Sequence, residues 1–206
     1  METNVNIAVI AWGSLIWNLG MLDLRTPWHC DGPALPLEFA RISRGGRLTL
    51  VLFPPGLTRP TYWAISSFKS LDVARANLAD REGSAVDAIH FCFRDPATQQ
   101  RRQYGDLRVT SAVDDWLLAR QRLDMAIWTG LDSNWQSERG VDYSVDDAVR
   151  YLSGLHGPEL EAAREYVTHA PPQIDTPVRQ AMRARGWQDV ALPVELFAKN
   201  QAKGMS

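Results

Sequence analysis

The chain has 206 residues, 45% of them apolar, and a formal net charge of −2. That length can bury one sizeable core, with or without an appended unit. The near-neutral charge leaves no electrostatic footprint for nucleic acid, and the absence of any run of about 18 apolar residues argues against a membrane span. Met1 to Asn4 lacks the basic segment of a secretion signal, and Cys30 and Cys92 make no CxxC pair, so both read as reduced thiols of a cytoplasmic protein.

In chain order, Val5 to Ala11 is short, apolar and rich in β-branched residues, the pattern of a buried strand. It breaks at Trp12-Gly13-Ser14-Leu15. Glycine and serine directly after a strand turn the backbone sharply and present amide N–H groups, a nest for a carboxylate. The plain alternative is a strand that ends in a Gly-Ser turn. Met21 to Pro36 is irregular. Leu35 to Arg41 and Arg47 to Phe53 read as a hairpin across Ser43-Arg44-Gly45-Gly46, with the glycines supplying positive φ. Thr61 to Phe68 reads as a third strand. Ser70 to Arg81 reads as a helix, with Ser70 as N-cap and Gly83 as the stop.

Val86 to Arg94 reads as a strand with Ile89, Phe91 and Phe93 on one face. Ala97 to Gly105 looks turn-like, Leu107 to Thr110 a short strand, Asp115 to Arg122 a helix or a bulge, and Ala126 to Thr129 a strand. From Ser144 the pattern becomes helical: Val145 to Leu155 behind a Ser144–Asp147 capping pair, Pro158 to His169, and Thr176 to Arg185 with Pro177 first. The tail from Val194 is weakly patterned. Strands followed by helices make an α+β protein, divided here into a unit of residues 1–140 and a helical extension of residues 141–206.

One residue stands out on physical grounds. At about 100° per residue, Leu71, Ala74, Leu78 and Glu82 share one stripe of the helix, so Glu82 continues its apolar face. A carboxylate there is costly unless something uses it, and a helix C-terminus disfavours negative charge. Both effects raise its pKa toward the range of acid–base work. A salt bridge to Arg81 or Arg47, or a helix that stops early, are the plain alternatives. Ser14 is not in a GxSxG setting. His29-Cys30-Asp31 has the atoms of a thiol hydrolase, but adjacent side chains seldom face each other. His90, His156 and His169 have no ligand spacing, and no P-loop, GxGxxG or HExxH occurs, so neither metal nor cofactor is expected.

The stretch Trp12-Gly13-Ser14-Leu15-Ile16-Trp17-Asn18 resembles the YGSL loop of the gamma-glutamylcyclotransferase superfamily, most closely its ChaC branch, whose loop reads roughly YGSLIWNPG. Leu78-Ala79-Asp80-Arg81-Glu82-Gly83 resembles that family's helix-end signature with its catalytic glutamate. Arg41, Ser43 and Thr49-Leu50-Val51 match the family's strands, and Gly154 to Tyr166 is similar to a Gly-x-x-Gly…Tyr stretch late in ChaC proteins. The resemblance covers roughly residues 7 to 95. Two departures stand out: Trp12 replaces the loop tyrosine, and Ala64 stands where glycine is usual.

The resemblance implies a small mixed β-barrel built mostly from residues 5 to 130, with flanking and C-terminal helices. It implies a small-molecule γ-glutamyl substrate, such as glutathione, cyclised to 5-oxoproline with Glu82 as general acid/base. Trp12, Gly13, Ser14, Leu15 and Arg41 would bind that substrate. Glu82 should then be buried, short of ion-pair partners, and face a pocket walled by the Gly13–Leu15 amides. The alternatives are a barrel of the same fold that binds a small ligand without catalysis, and an amide hydrolase using Cys30. Nothing in the sequence sets the oligomeric state.

Overall fold

The computed structural model describes residues 5–94, 100–120 and 122–198. Eight strands form two sheets among them. The larger sheet contains β1 (Ile7–Ala11), β5 (Tyr62–Ile65), β6 (Ile89–Arg94), β7 (Arg101–Tyr104) and β8 (Met125–Thr129), in the order β5-β1-β8-β6-β7. β1 runs parallel to β8 and antiparallel to β5. Flanked on both edges, β1 buries all five residues, which explains its unbroken apolar run. The smaller sheet is antiparallel, β3 (Leu48–Leu52), β2 (Ala34–Ile42) and β4 (Thr58–Pro60), in the order β3-β2-β4.

The expected barrel is therefore not closed. The chain crosses between sheets at Thr61, immediately after Pro60, a residue with no N–H to continue a ladder. Thr61 is pinned there by bonds from its amide and hydroxyl to the Pro33 carbonyl.

Helix α1 (Leu71–Glu82) packs on β8 and β6. Gly83, at φ 59°, stops it in the left-handed conformation that glycine adopts freely. Ser70 occupies the N-cap position, though its side chain makes no capping bond. Two stretches correct the sequence reading. Leu107 to Thr110 is not a strand but the first turn of α2 (Leu107–Leu118), whose Asp106 cap accepts bonds from the Arg108 and Val109 amides. Arg101–Tyr104 is not a turn but the exposed edge strand β7; residues 97–99 lie outside the described residues. The strand expected from Val86 begins at Ile89, after a 3₁₀ turn at Val86–Ala88, and the one expected over Thr61 to Phe68 is confined to β5.

In the C-terminal third, α3 (Trp135–Arg139) and α6 (Pro177–Arg183) pack on β2, α5 (Gly157–His169) packs on β3, and α4 (Val145–Ser153) packs on α6. Ser144 and Thr176 cap α4 and α6 through their hydroxyls. In the β2–β3 turn only Gly46 has positive φ, and Tyr151 of α4 bonds its carbonyl. One contiguous apolar core spans the sheets and the helices. Among the described residues, no helix is long and apolar enough to cross a membrane.

Candidate functional site

The end of β1, the end of α1, the β2–β3 hairpin, the residues after β8 and one residue of α5 enclose a cavity of about 220 Å³. Trp12, Gly13, Ser14, Leu15, Arg41 and Glu82, the residues singled out in the sequence, all line it. The cavity is not filled by Trp12, which is buried in its wall.

Glu82 is the last helical residue of α1, and its side chain is 18% exposed. Burial is the main influence that raises its pKa; the nearby Arg81 and Arg47 oppose it. Contrary to the expectation of few partners, Glu82 is ion-paired: Arg81 Nη1 lies 2.8 Å from its Oε1. Arg81 also donates to the Asn18 carbonyl and, at 3.3 Å, to Ser14 Oγ. One guanidinium thus ties the end of α1 to the loop after β1, 67 positions away in sequence.

The loop is itself bonded, Ile16 N to Gly13 O and Asn18 N to Ser14 O. Gly13 is not in the left-handed region. What requires glycine is space, because a Cβ there would stand 2.5 Å from Tyr166 Oη. The hydroxyl of Tyr166, on α5, lies near the Ser14 and Leu50 backbone. Burial, reinforced by the charge of Glu82, pushes the Tyr166 phenol up to about 12, so it stays protonated at neutral pH.

The cavity is rich in positive charge. Arg41 donates to the Asp132 carbonyl at 2.7 Å. The Arg47 guanidinium lies over the Tyr166 ring, 5.0 Å from its centroid, and its buried Nε has no hydrogen-bond partner among the described residues. With Arg81, three arginines face one carboxylate. Such a site favours a ligand with carboxylates of its own. The β-bulge in β2 contributes directly. It adds Ala40 between the Phe39–Leu50 and Arg41–Thr49 pairs, so Arg41 stands beside Thr49, which lines the cavity, rather than beside the fully buried Leu48.

His29, Cys30 and Asp31 lie outside this cavity. The His29 ring stacks on Trp63, and Trp63 Nε1 and Arg120 bond the Asp31 carboxylate, so the three are not arranged as a catalytic set. Sequence reasoning weighed Arg47 and Arg81 only as ion-pair partners and missed Tyr166 as a wall of the site. The available signal was the Ala163, Tyr166, Val167 stripe of α5, which carries one polar tip on a buried face.

No family model matches this chain, and no curated protein matches it. Among solved structures, a glutathione-specific gamma-glutamyl cyclotransferase from yeast is similar at 12% identity and a TM-score of 0.38, over 90% of this chain and 98% of that one. A likeness at that level leaves function to be argued from this chain's own residues.

Proposed function

We propose that the cavity is the active site of a gamma-glutamylcyclotransferase-like enzyme, acting in the cytoplasm on a γ-glutamyl amine or peptide such as glutathione. The observation that carries this reading is the meeting of a partly buried carboxylate of raised pKa with the Gly13–Leu15 loop in one cavity ringed by arginines. Glu82 takes a proton from the substrate's α-amine. The amine nitrogen then bonds to its own γ-carbonyl carbon, closing a five-membered ring and moving charge to the carbonyl oxygen. Glu82 returns the proton to the leaving nitrogen, the old C–N bond breaks, and 5-oxoproline and a free amine result. Enclosure of a folded substrate supplies much of the rate, because the attack is intramolecular. Tyr166 offers the hydroxyl that Trp12 lacks, a protonated phenol that can donate to the developing oxyanion. Arg41 and Arg47 hold the substrate's carboxylates.

A second reading rests on the Arg81–Glu82 pair. If that pair persists with ligand bound, Glu82 is no base, and the cavity binds a γ-glutamyl compound without turnover. Incubation with a panel of γ-glutamyl compounds, monitored for 5-oxoproline, separates the two. Turnover is expected, and Glu82→Gln should reduce it by about 10²-fold or more while a substrate analogue still binds. Binding without 5-oxoproline would establish the second reading, and normal turnover by the Gln variant would remove Glu82 from the mechanism.

A further inference from the structure

A second concavity, about 580 Å³, lies between β2, the loop after β3 and the beginnings of α3, α4 and α6. Its charge is the opposite of the first. Glu38 and Asp142 line it, and no lysine, arginine or histidine does. Three of its walls are aromatic: Phe53 meets Tyr143 at 4.7 Å and 61°, and Trp135 meets Tyr143 at 5.5 Å and 84°. Edge-to-face contacts at these distances make the three rings one packed aromatic cluster lining the groove.

Glu38 is only 2% exposed, although a carboxylate on a strand is ordinarily wet. The Phe39 amide bonds its Oε1 at 2.8 Å, and the Thr176 hydroxyl and Val178 amide stand nearby at the start of α6. A carboxylate has more acceptor positions than that one bond fills. The nearby Arg59 does not neutralise it by contact, since that guanidinium is bonded to the Asp175 and Thr58 carbonyls. Trp135 is 1% exposed, and its Nε1, like Tyr143 Oη, is buried with no hydrogen-bond partner among the described residues. The pocket therefore combines a held carboxylate, π-faces and two unspent polar tips.

We propose that this groove binds a small organic ammonium ligand that also carries a hydrogen-bond acceptor, its cationic head set between the Phe53, Trp135 and Tyr143 rings and Glu38. The ring quadrupoles attract such a cation, and methylation suits it to an aromatic groove by weakening its hydration. Trp135 Nε1 can only donate, and Tyr143 Oη can donate, so the ligand's acceptor atom is what they lack. Burial raises the Glu38 pKa; a cation seated beside it favours the ionised form, so binding should tighten as pH rises through that raised value. This site is independent of the cyclotransferase reading and stands or falls without it.

The test is calorimetric titration of the full chain at low salt with choline and with 3,3-dimethyl-1-butanol, its uncharged carbon isostere. Choline should bind at least about tenfold more tightly than the alcohol. Phe53→Leu and Tyr143→Leu should each weaken choline by about three- to tenfold with the circular dichroism spectrum unchanged. Glu38→Gln should reduce the preference for the cation without abolishing it, because the rings remain; if that variant does not fold, the two ring variants decide. Equal affinity for choline and the alcohol, no choline binding at concentrations on the order of 10 mM, or ring variants that bind as the parent does would each overturn the proposal.

Discussion

Two concavities share one strand. Arg41 faces the cavity that holds Glu82; Glu38, three residues earlier on β2, lines the groove with Asp142. The first has three arginines against one carboxylate, and the second has two carboxylates and no cationic side chain. Overall charge conceals this, because the opposite fields offset each other in a net of −2. The lesson is that ligand preference belongs to a site and not to the chain's charge balance. Glu82 and Glu38 are both carboxylates raised by burial, yet arginines flank one while the Phe39 amide bonds the other.

The largest expected effect outside the reaction itself comes from removing positive charge from the first cavity. Arg47 is the informative choice, because its buried Nε has no partner to lose. Arg47→Met keeps a long apolar stem against the Tyr166 ring and deletes the guanidinium. A charge-assisted hydrogen bond contributes about 1.5–3 kcal/mol, so affinity for a γ-glutamyl dicarboxylate should fall roughly 10- to 100-fold. Choline binding in the groove should not change. A variant that binds the dicarboxylate as tightly as the parent would show that the arginine ring is structural, and the contrast between the two pockets would collapse.

The contrast was only half legible in the sequence. β1, the Gly-Ser break and the Gly83 stop are local signals, set by apolar runs and by glycine's conformational freedom, and all three appear where they were read. Glu82 was legible because a helix period carries one residue onto a buried stripe. α2 was missed at its start: Leu107 to Thr110 carries a β-branched pair, and that outweighed the Asp106 cap and the Val109, Val113, Trp116, Leu117 stripe. β7 was missed because all four of its residues are exposed, so no alternation marks it. Sheet closure and the groove depend on how distant elements meet. No window of sequence places Glu38 beside Tyr143, or Tyr166 against Gly13.

A smaller effect is expected from pH. For both glutamates the folded pKa lies above the unfolded value. In the interval between those two values the folded state binds more protons, so stability falls as pH rises through it, and the penalty is complete above it. Glutamine does not titrate. Glu38→Gln and Glu82→Gln should therefore gain stability relative to the parent as pH rises from about 4.3, and then level off. Each pKa unit of displacement corresponds to about 1.4 kcal/mol. Urea unfolding of parent and variants between about pH 4 and 8 measures the slope. An opposite slope for Glu82 alone would mean that Arg81 holds it ionised, which favours the non-catalytic reading and sharpens the difference from Glu38.

A last effect, read as a coupling between two positions, concerns the contact that shapes the first cavity and is absent from the second. A Cβ on Gly13 would meet Tyr166 Oη at 2.5 Å and Cζ at 3.6 Å, so the hydroxyl is the obstacle and the ring is not. Tyr166 is buried, so its ring has little room to swing aside. Gly13→Ala should cost about 1–3 kcal/mol, the usual range for overpacking. Tyr166→Phe removes the obstructing atom together with the hydroxyl's polar contacts, at a cost of about 1 kcal/mol. In the Tyr166→Phe background Gly13→Ala should then be cheaper by roughly 1 kcal/mol, a coupling within the range for residues in contact. Denaturation of the two single variants and the double variant measures it, with choline affinity as the control that the groove is unmoved. Additive costs would mean that loop and ring do not press on each other, and that glycine at position 13 serves the ligand rather than the tyrosine.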